Sequence, residues 1–180
     1  MDKPVVPHSI RKVFVGRIFT VTVESITTPK GGTLDAEVVR HPGSVVLIPV
    51  TQAGTIILVR QYRHAIGRAA WELPAGSLEP NEDPKKAAAR ECQEEIGLIP
   101  SQLDRLGAFF PTPGYCDEEM SFFKAAGLRE PGPDDEKAEQ DEDEEIETRA
   151  FAVEQLRAMI QSNEIVDLKT VAGLTLLGRV

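Results

Sequence analysis

The sequence predicts an α/β protein, organised as one domain with a full hydrophobic core and room for a small appendage. Three observations predict it. The first forty-odd residues are strand-rich, an internal helix is marked at both ends, and strand-like and helix-like segments alternate after that helix. The 180 residues are 41% hydrophobic, an ordinary proportion for a globular chain.

Val13 to Ile26 (VFVGRIFTVTVESI) is rich in β-branched and aromatic residues, and its Thr20–Val23 part alternates, so it reads as strand. Lys30-Gly31-Gly32 signals a turn, and Leu34 to Val39 can return as a second strand. Two apolar runs, Ser44 to Val50 and Thr55 to Val59, are joined by Thr51-Gln52-Ala53-Gly54 and read as a hairpin buried on both faces. A helix is expected from Pro84 to Ile96: Asp83 can cap it, Pro84 suits its first position and Gly97 suits its end. Arg105 to Phe110, Met120 to Ala126 and Glu147 to Val153 read as strands, with Pro111-Thr112-Pro113-Gly114 a loop. Glu154 to Gln161 and Leu168 to Leu177 read as short helices. The chain has neither a Gly-rich dinucleotide loop nor a G-x-x-x-x-G-K-[ST] motif, which disfavours the common nucleotide-binding α/β folds.

The formal net charge is -9, and its location is informative. Asp134 to Glu147 holds ten acidic residues and one lysine, while the remaining chain carries 19 of each sign. There is no basic face for nucleic acid, and the acidic run reads either as a solvated loop or as a source of functional carboxylates. No apolar stretch reaches the roughly 18–20 residues of a membrane span. The opening MDKPVVPHSIRKV lacks an apolar run followed by a small-residue cleavage site, which gives the expectation of no secretion signal. Neither Cys92 nor Cys116 sits in a C-x-x-C pair, so neither a disulfide framework nor a zinc site is expected, and a reducing cytoplasm is the simplest compartment.

The 84–96 helix carries unusual charge. Spaced at about 100° per residue, Ala88, Ala89, Cys92 and Ile96 share one core-facing arc. Glu91 and Glu95 lie on the edge of that arc, with Glu94 just beyond. Like charges one turn apart repel, the helix C-terminus disfavours negative charge, and partial burial adds to the cost. Arg90 can neutralise one carboxylate but not three. A divalent cation would do so, and hard oxygen ligands favour magnesium, manganese or calcium. An ordinary acidic surface helix remains the alternative on this pattern alone.

The surrounding residues decide between them. Gly76 is followed after five residues by Glu82, then after seven by Arg90-Glu91-Cys92-Gln93-Glu94-Glu95-Ile96-Gly97-Leu98. This resembles the Nudix box at every fixed position, with Cys92 a mild variant where Leu or Val is usual. The resemblance implies an α/β/α sandwich with a mixed sheet, preceded by an N-terminal antiparallel β segment. It implies magnesium, with manganese as the alternative, held by Glu91, Glu95 and the backbone carbonyl of Ala75, with Glu94 in the same cluster. Arg90 and Glu82 would hold the loop against the helix, and Gly76 and Gly97 would permit backbone turns.

The likeness extends beyond the box. Val59-Arg60-Gln61-Tyr62-Arg63-His64, Trp71-Glu72-Leu73-Pro74-Ala75-Gly76, Phe110 to Glu118 and Gly16 to Val21 are similar to the ADP-ribose pyrophosphatase branch of that family. That branch implies a homodimer in which residues 1–43 exchange and residues 44–180 form the hydrolase domain. Arg17 and Ile18 would then contact adenine in the partner's site. Arg63 and Glu79 would hold the diphosphate, and Gly114 and Glu118 are carried over as substrate-binding positions. Ile18 as strand core, Arg17 as a surface residue and Glu79 as a turn residue are the structural alternatives. The catalytic base would come from the acidic run, Glu144 first and Glu142 second, with Glu94 in the catalytic cluster. The implied reaction is magnesium-dependent hydrolysis of ADP-ribose to AMP and ribose 5-phosphate. A broader nucleotide-sugar pyrophosphatase and a non-catalytic ADP-ribose sensor are the alternatives. Thr112 and Cys116 depart from the branch's usual residues and leave the terminal sugar open.

Overall fold

The computed structural model describes residues 5–135 and 146–178. Ser9–Val15 (β1), Thr20–Thr27 (β2) and Thr33–Arg40 (β3) form an antiparallel sheet in that order. The strand-rich run from Val13 to Ile26 is therefore shared by two strands. A reversal divides it, with the Gly16 N–H donating to the Phe19 carbonyl at 2.9 Å. A Cβ on Gly16 would lie 3.1 Å from the Phe19 carbonyl and 2.7 Å from the ring of the exposed Phe14, so the glycine lets the reversal close tightly. The Lys30–Gly32 turn falls where the sequence places it, with Gly31 at φ 83°.

The remaining elements are Ser44–Pro49 (β4), Ile56–Arg63 (β5), Arg68–Glu72 (β6), Ala75–Ser77 (β7), Pro84–Ile96 (α1), Ile99–Phe109 (β8), Met120–Arg129 (β9), Glu147–Phe151 (β10), Val153–Gln161 (α2) and Leu168–Leu176 (α3). β7, β4, β9 and β8 form a mixed sheet in that order, with β4 and β9 parallel. β10, β5 and β6 form a second, antiparallel sheet. This corrects the hairpin expected from Ser44 to Val59. Among the described residues, β4 and β5 are joined by no ladder but by an isolated bridge between Val50, just after β4, and Ile56, and the Thr51–Thr55 turn carries the chain from one sheet into the other. The apolar runs at 44–49 and 56–59 are covered on both faces, and each belongs to the inner strand of its own sheet.

β4 shows how the layers divide. Val45 and Leu47 point to one face, where they pack with Ala87, Ala88 and Cys92 of α1 and with Phe123 and Ala125 of β9. Val46 and Ile48 point to the other, where they meet Ile56 and Leu58 of β5, Trp71, Phe122, Phe151, Leu156 and Met159 of α2 and Leu174 of α3. The mixed sheet thus lies between α1 and a layer made of the second sheet with α2 and α3, the α/β/α arrangement expected from the box. α3 sits close to that sheet. A Cβ on Gly173 would lie 2.4 Å from Leu73 Cδ1, and the buried Thr170 hydroxyl accepts the Leu73 N–H at 2.7 Å.

The N-terminal sheet is tied to this body by Arg40, the last residue of β3. Its guanidinium donates to Glu24 of β2 at 2.6 to 2.9 Å and to Asp117, in the loop before β9, at 2.9 Å. Val39 and the 115–117 backbone exchange hydrogen bonds alongside. Arg40, with the Thr22 hydroxyl, holds the buried Glu24 carboxyl below its ordinary value of 4.5. A depressed carboxylate stabilises the fold above its ordinary value and loses that contribution as pH falls through the folded value. The stability difference between the wild type and Glu24→Gln is therefore expected to be largest near neutrality and to shrink as pH drops below 4.5. Urea denaturation across that range measures it, and a pH-independent difference would count against the clamp.

Candidate active site

α1 is fixed at both ends by the residues that mark it in the sequence. The Asp83 carboxylate accepts the N–H groups of Lys85 and Lys86 at 3.0 and 3.2 Å, and Pro84 occupies the first turn. Gly97 closes the helix in the left-handed region at φ 71°, its N–H donating to the Gln93 carbonyl. The core face runs through Ala87, Ala88 and Cys92, with Ala87 in place of the expected Ala89. That face carries Glu91 and Glu95 inward, to 8% and 7% exposure. Burial, with the charge of Glu95 beside it, pushes the Cys92 thiol up to about 12, so Cys92 is a packing residue.

Arg90 is the countercharge. Its Nε and Nη2 bind the two oxygens of Glu82 at 3.0 Å each, while Nη1 donates to Glu91 at 2.7 Å and to Glu94 at 2.6 Å. Nη2 also reaches the Ser77 carbonyl at 3.3 Å. One guanidinium thus holds the loop before the helix against the helix, as the box implies. Glu82 first, then Glu91 and Glu94, raise its pKa, and Arg90 in turn draws Glu82 below the usual carboxylate range. Glu95 is held differently, by the Ala75 N–H at 2.9 Å. Gly76 serves a close approach: a Cβ there would fall 1.9 Å from the Glu91 carboxylate. Its expected role in a backbone turn is replaced by that contact, because no other residue leaves room for Glu91.

These groups line a cleft of about 440 Å³ together with Arg17, Ile18, Arg63, Ser77 and Glu79. Arg17 and Ile18 line the cleft of their own chain, brought there by the β1–β2 reversal, whereas the resemblance implied a place in the partner's site. A second cavity of about 580 Å³ shares Arg63, Ala75, Gly76 and Ser77 with it and adds Glu72, Arg68, Asp167 and Lys169. Gly114 and Glu118 line neither. Gly114 is exposed, and Glu118 accepts the Ser44 hydroxyl at 2.8 Å behind the second cavity's wall. Glu142 and Glu144 lie outside the described residues.

Among the described residues no three metal-ligating side chains close around one point, since Glu91 and Glu94 turn to Arg90 and Glu95 to Ala75. The donor set still suits a hard divalent cation. It is all oxygen, it holds more negative charge than Arg90 can balance, and the bare face of Gly76 leaves space against Glu91.

The NUDIX domain family matches residues 40–172. The chain belongs to the Nudix family. Over 166 residues it is 36% identical to an ADP-ribose pyrophosphatase of Bacillus subtilis (strain 168), covering 92% of this chain and 88% of that protein. It is 41% identical over 125 residues to an ADP-ribose pyrophosphatase of Mycobacterium tuberculosis (strain ATCC 25618 / H37Rv), covering 69% and 60%. The fold matches a solved structure described as an ADP compounds hydrolase, with a TM-score of 0.82, 22% identity and coverage of 99% and 98%.

The Nudix helix, its loop and Arg63 were all legible in the sequence. Glu72 and Lys169 were not singled out, although they surround Arg63. The buried Glu72 carboxylate takes Arg63 Nε and Nη2 at 3.0 and 2.8 Å and Lys169 Nζ at 2.5 Å. Burial pushes this carboxyl up, but Arg63 and Lys169 outweigh it and hold it below the ordinary range. The two partners come from sites 97 residues apart, so no local pattern links them. For the Nudix cleft itself, Gly76→Ala is expected to displace Glu91 and cut hydrolysis by about 100-fold. Steady-state rates at saturating metal, beside an unchanged circular dichroism spectrum, are the check.

Proposed function

We propose that the chain is a magnesium-dependent ADP-ribose pyrophosphatase that releases AMP and ribose 5-phosphate. The observation that carries this reading is the shared cleft, lined by Glu91, Glu94 and Glu95 together with Arg17, Ile18 and Arg63. Two ADP-ribose pyrophosphatases among its relatives support the substrate. In this reading Ile18 and Arg17 receive the adenine, and Arg63, with Glu79 beside it, orients the diphosphate. Magnesium or manganese held by Glu91, Glu95 and the Ala75 carbonyl, with Glu94 adjoining, would neutralise phosphate oxygens and acidify water. Glu144, or Glu142 in second place, takes the proton of the attacking water. The water oxygen bonds to one phosphorus and the bridging P–O bond breaks, leaving one phosphate on each product.

The protein acts as a homodimer in this proposal, with residues 1–43 making the contact and residues 44–180 the hydrolase domain. β1 is exposed along its length and presents Ile10, Val13, Phe14 and Val15 to solvent, an apolar edge that a second copy would cover. A reducing, cytoplasmic setting suits its two free thiols, Cys92 and Cys116.

Incubation with magnesium and a panel of ADP-ribose, GDP-mannose, UDP-glucose, NADH and 8-oxo-dGTP tests the substrate. Preferential cleavage of ADP-ribose, abolished by Glu95→Gln, is expected; preferential cleavage of another member would retain the chemistry and discard the adenine pocket. Glu144→Gln is expected to lower the rate about 100- to 10,000-fold while magnesium binding persists, and undiminished turnover would remove Glu144 as the base.

A further inference from the structure

We propose that Lys169 and Glu72 are positioning residues that hold Arg63 over the diphosphate and keep its charge available to it. This rests on the reading of Arg63 as the diphosphate-binding cation.

Arg63 shares its cleft with Glu91, Glu94 and Glu95. Left to itself, its guanidinium could fold onto those carboxylates and fill the space that substrate needs. Glu72 stands at the end of β6, is 4% exposed and grips Arg63 side-on through Nε and Nη2. Among the described residues no hydrogen bond is made by Nη1, so this edge is left for an incoming oxygen. Glu72 thereby sets the direction of the fork, which a flexible arginine does not set alone.

The grip has an electrostatic drawback. An Arg63–Glu72 pair is neutral and would offer little to a doubly charged diphosphate. Lys169, whose side chain is 9% exposed, donates to the same Glu72 oxygen that receives Arg63 Nη2. It balances Glu72 and leaves the group of three with one positive charge. Asp167 also accepts Lys169 Nζ, at 3.0 Å, but its carboxylate is engaged at the start of α3, where it takes the Thr170 N–H at 3.0 Å and the Thr170 hydroxyl at 2.6 Å. There its charge faces the positive end of the helix.

Fastening α3 to the sheet does not require this lysine. The Thr170–Leu73 hydrogen bond and the tight Gly173 contact already do that. Loss of the Lys169 charge should therefore register in substrate binding before it registers in folding.

The test uses steady-state kinetics on ADP-ribose. Lys169→Gln keeps a donor for Glu72 and removes the charge. It is expected to raise KM about tenfold with kcat within about twofold, the signature of an interaction lost equally from ground and transition states. Lys169→Arg should restore KM. In an Arg63→Ala background, Lys169→Gln should add nothing further, since both act through one guanidinium. An unchanged KM, an equal rise in the Arg63→Ala background, or loss of cooperative unfolding in Lys169→Gln would each overturn the proposal. An Arg63→Ala enzyme with unaltered KM would instead remove the diphosphate reading on which it rests.

Discussion

One guanidinium serving three carboxylates is the constraint around which the site is built. Arg90 binds Glu82, Glu91 and Glu94 at 2.6 to 3.0 Å, and through Glu82 it pins the loop that follows β7 to the helix that follows the loop. Without it, acidic groups bordering the core would repel one another and drive the helix outward. With it, they are held together although one guanidinium cannot balance three carboxylates, an arrangement that suits an added cation. The family's general use of divalent cations is consistent with that deficit. The same arrangement dictates the bare backbone at Gly76, since Glu91 can be kept this close to β7 only where no side chain intervenes.

The second cavity extends the same logic. Arg63 lies where the two cavities meet, and the groups around it come from β6 and α3. The C-terminal helix is thus part of the site's architecture as well as cover for the core. Its cap, Asp167, its buried Thr170 and its Lys169 each make a contact that reaches toward β6 or the residue after it, directly or through one another. Cohesion of that layer and orientation of the cation over the cleft are consequently linked.

What could be read from the sequence follows from how local each feature is. α1 is specified by Asp83, Pro84 and Gly97 within its own span, and its observed limits agree with the expected ones. The strands beginning at Met120 and Glu147 were legible from their runs of β-formers. β6 and β7 were not, because RAAWE and AGS carry little strand preference and are held by neighbours distant in sequence. Ser44 to Val59 contains two apolar strands with a turn between them, and nothing in that pattern distinguishes a hairpin from a crossing between sheets. For the same reason Arg63 was legible as a cation near the site, whereas Glu72 and Lys169 depend on tertiary proximity alone.

Arg40 stands at the first residue of the region matched by the family, yet its charge is engaged on both sides of that boundary. A fragment starting there would lack Glu24 and leave Asp117 facing a loosened arginine. It would also lack the strand end whose backbone pairs with residues 115–117. The boundary drawn by sequence likeness therefore cuts through the Arg40 clamp and the Val39 pairing that join the N-terminal sheet to the loop before β9.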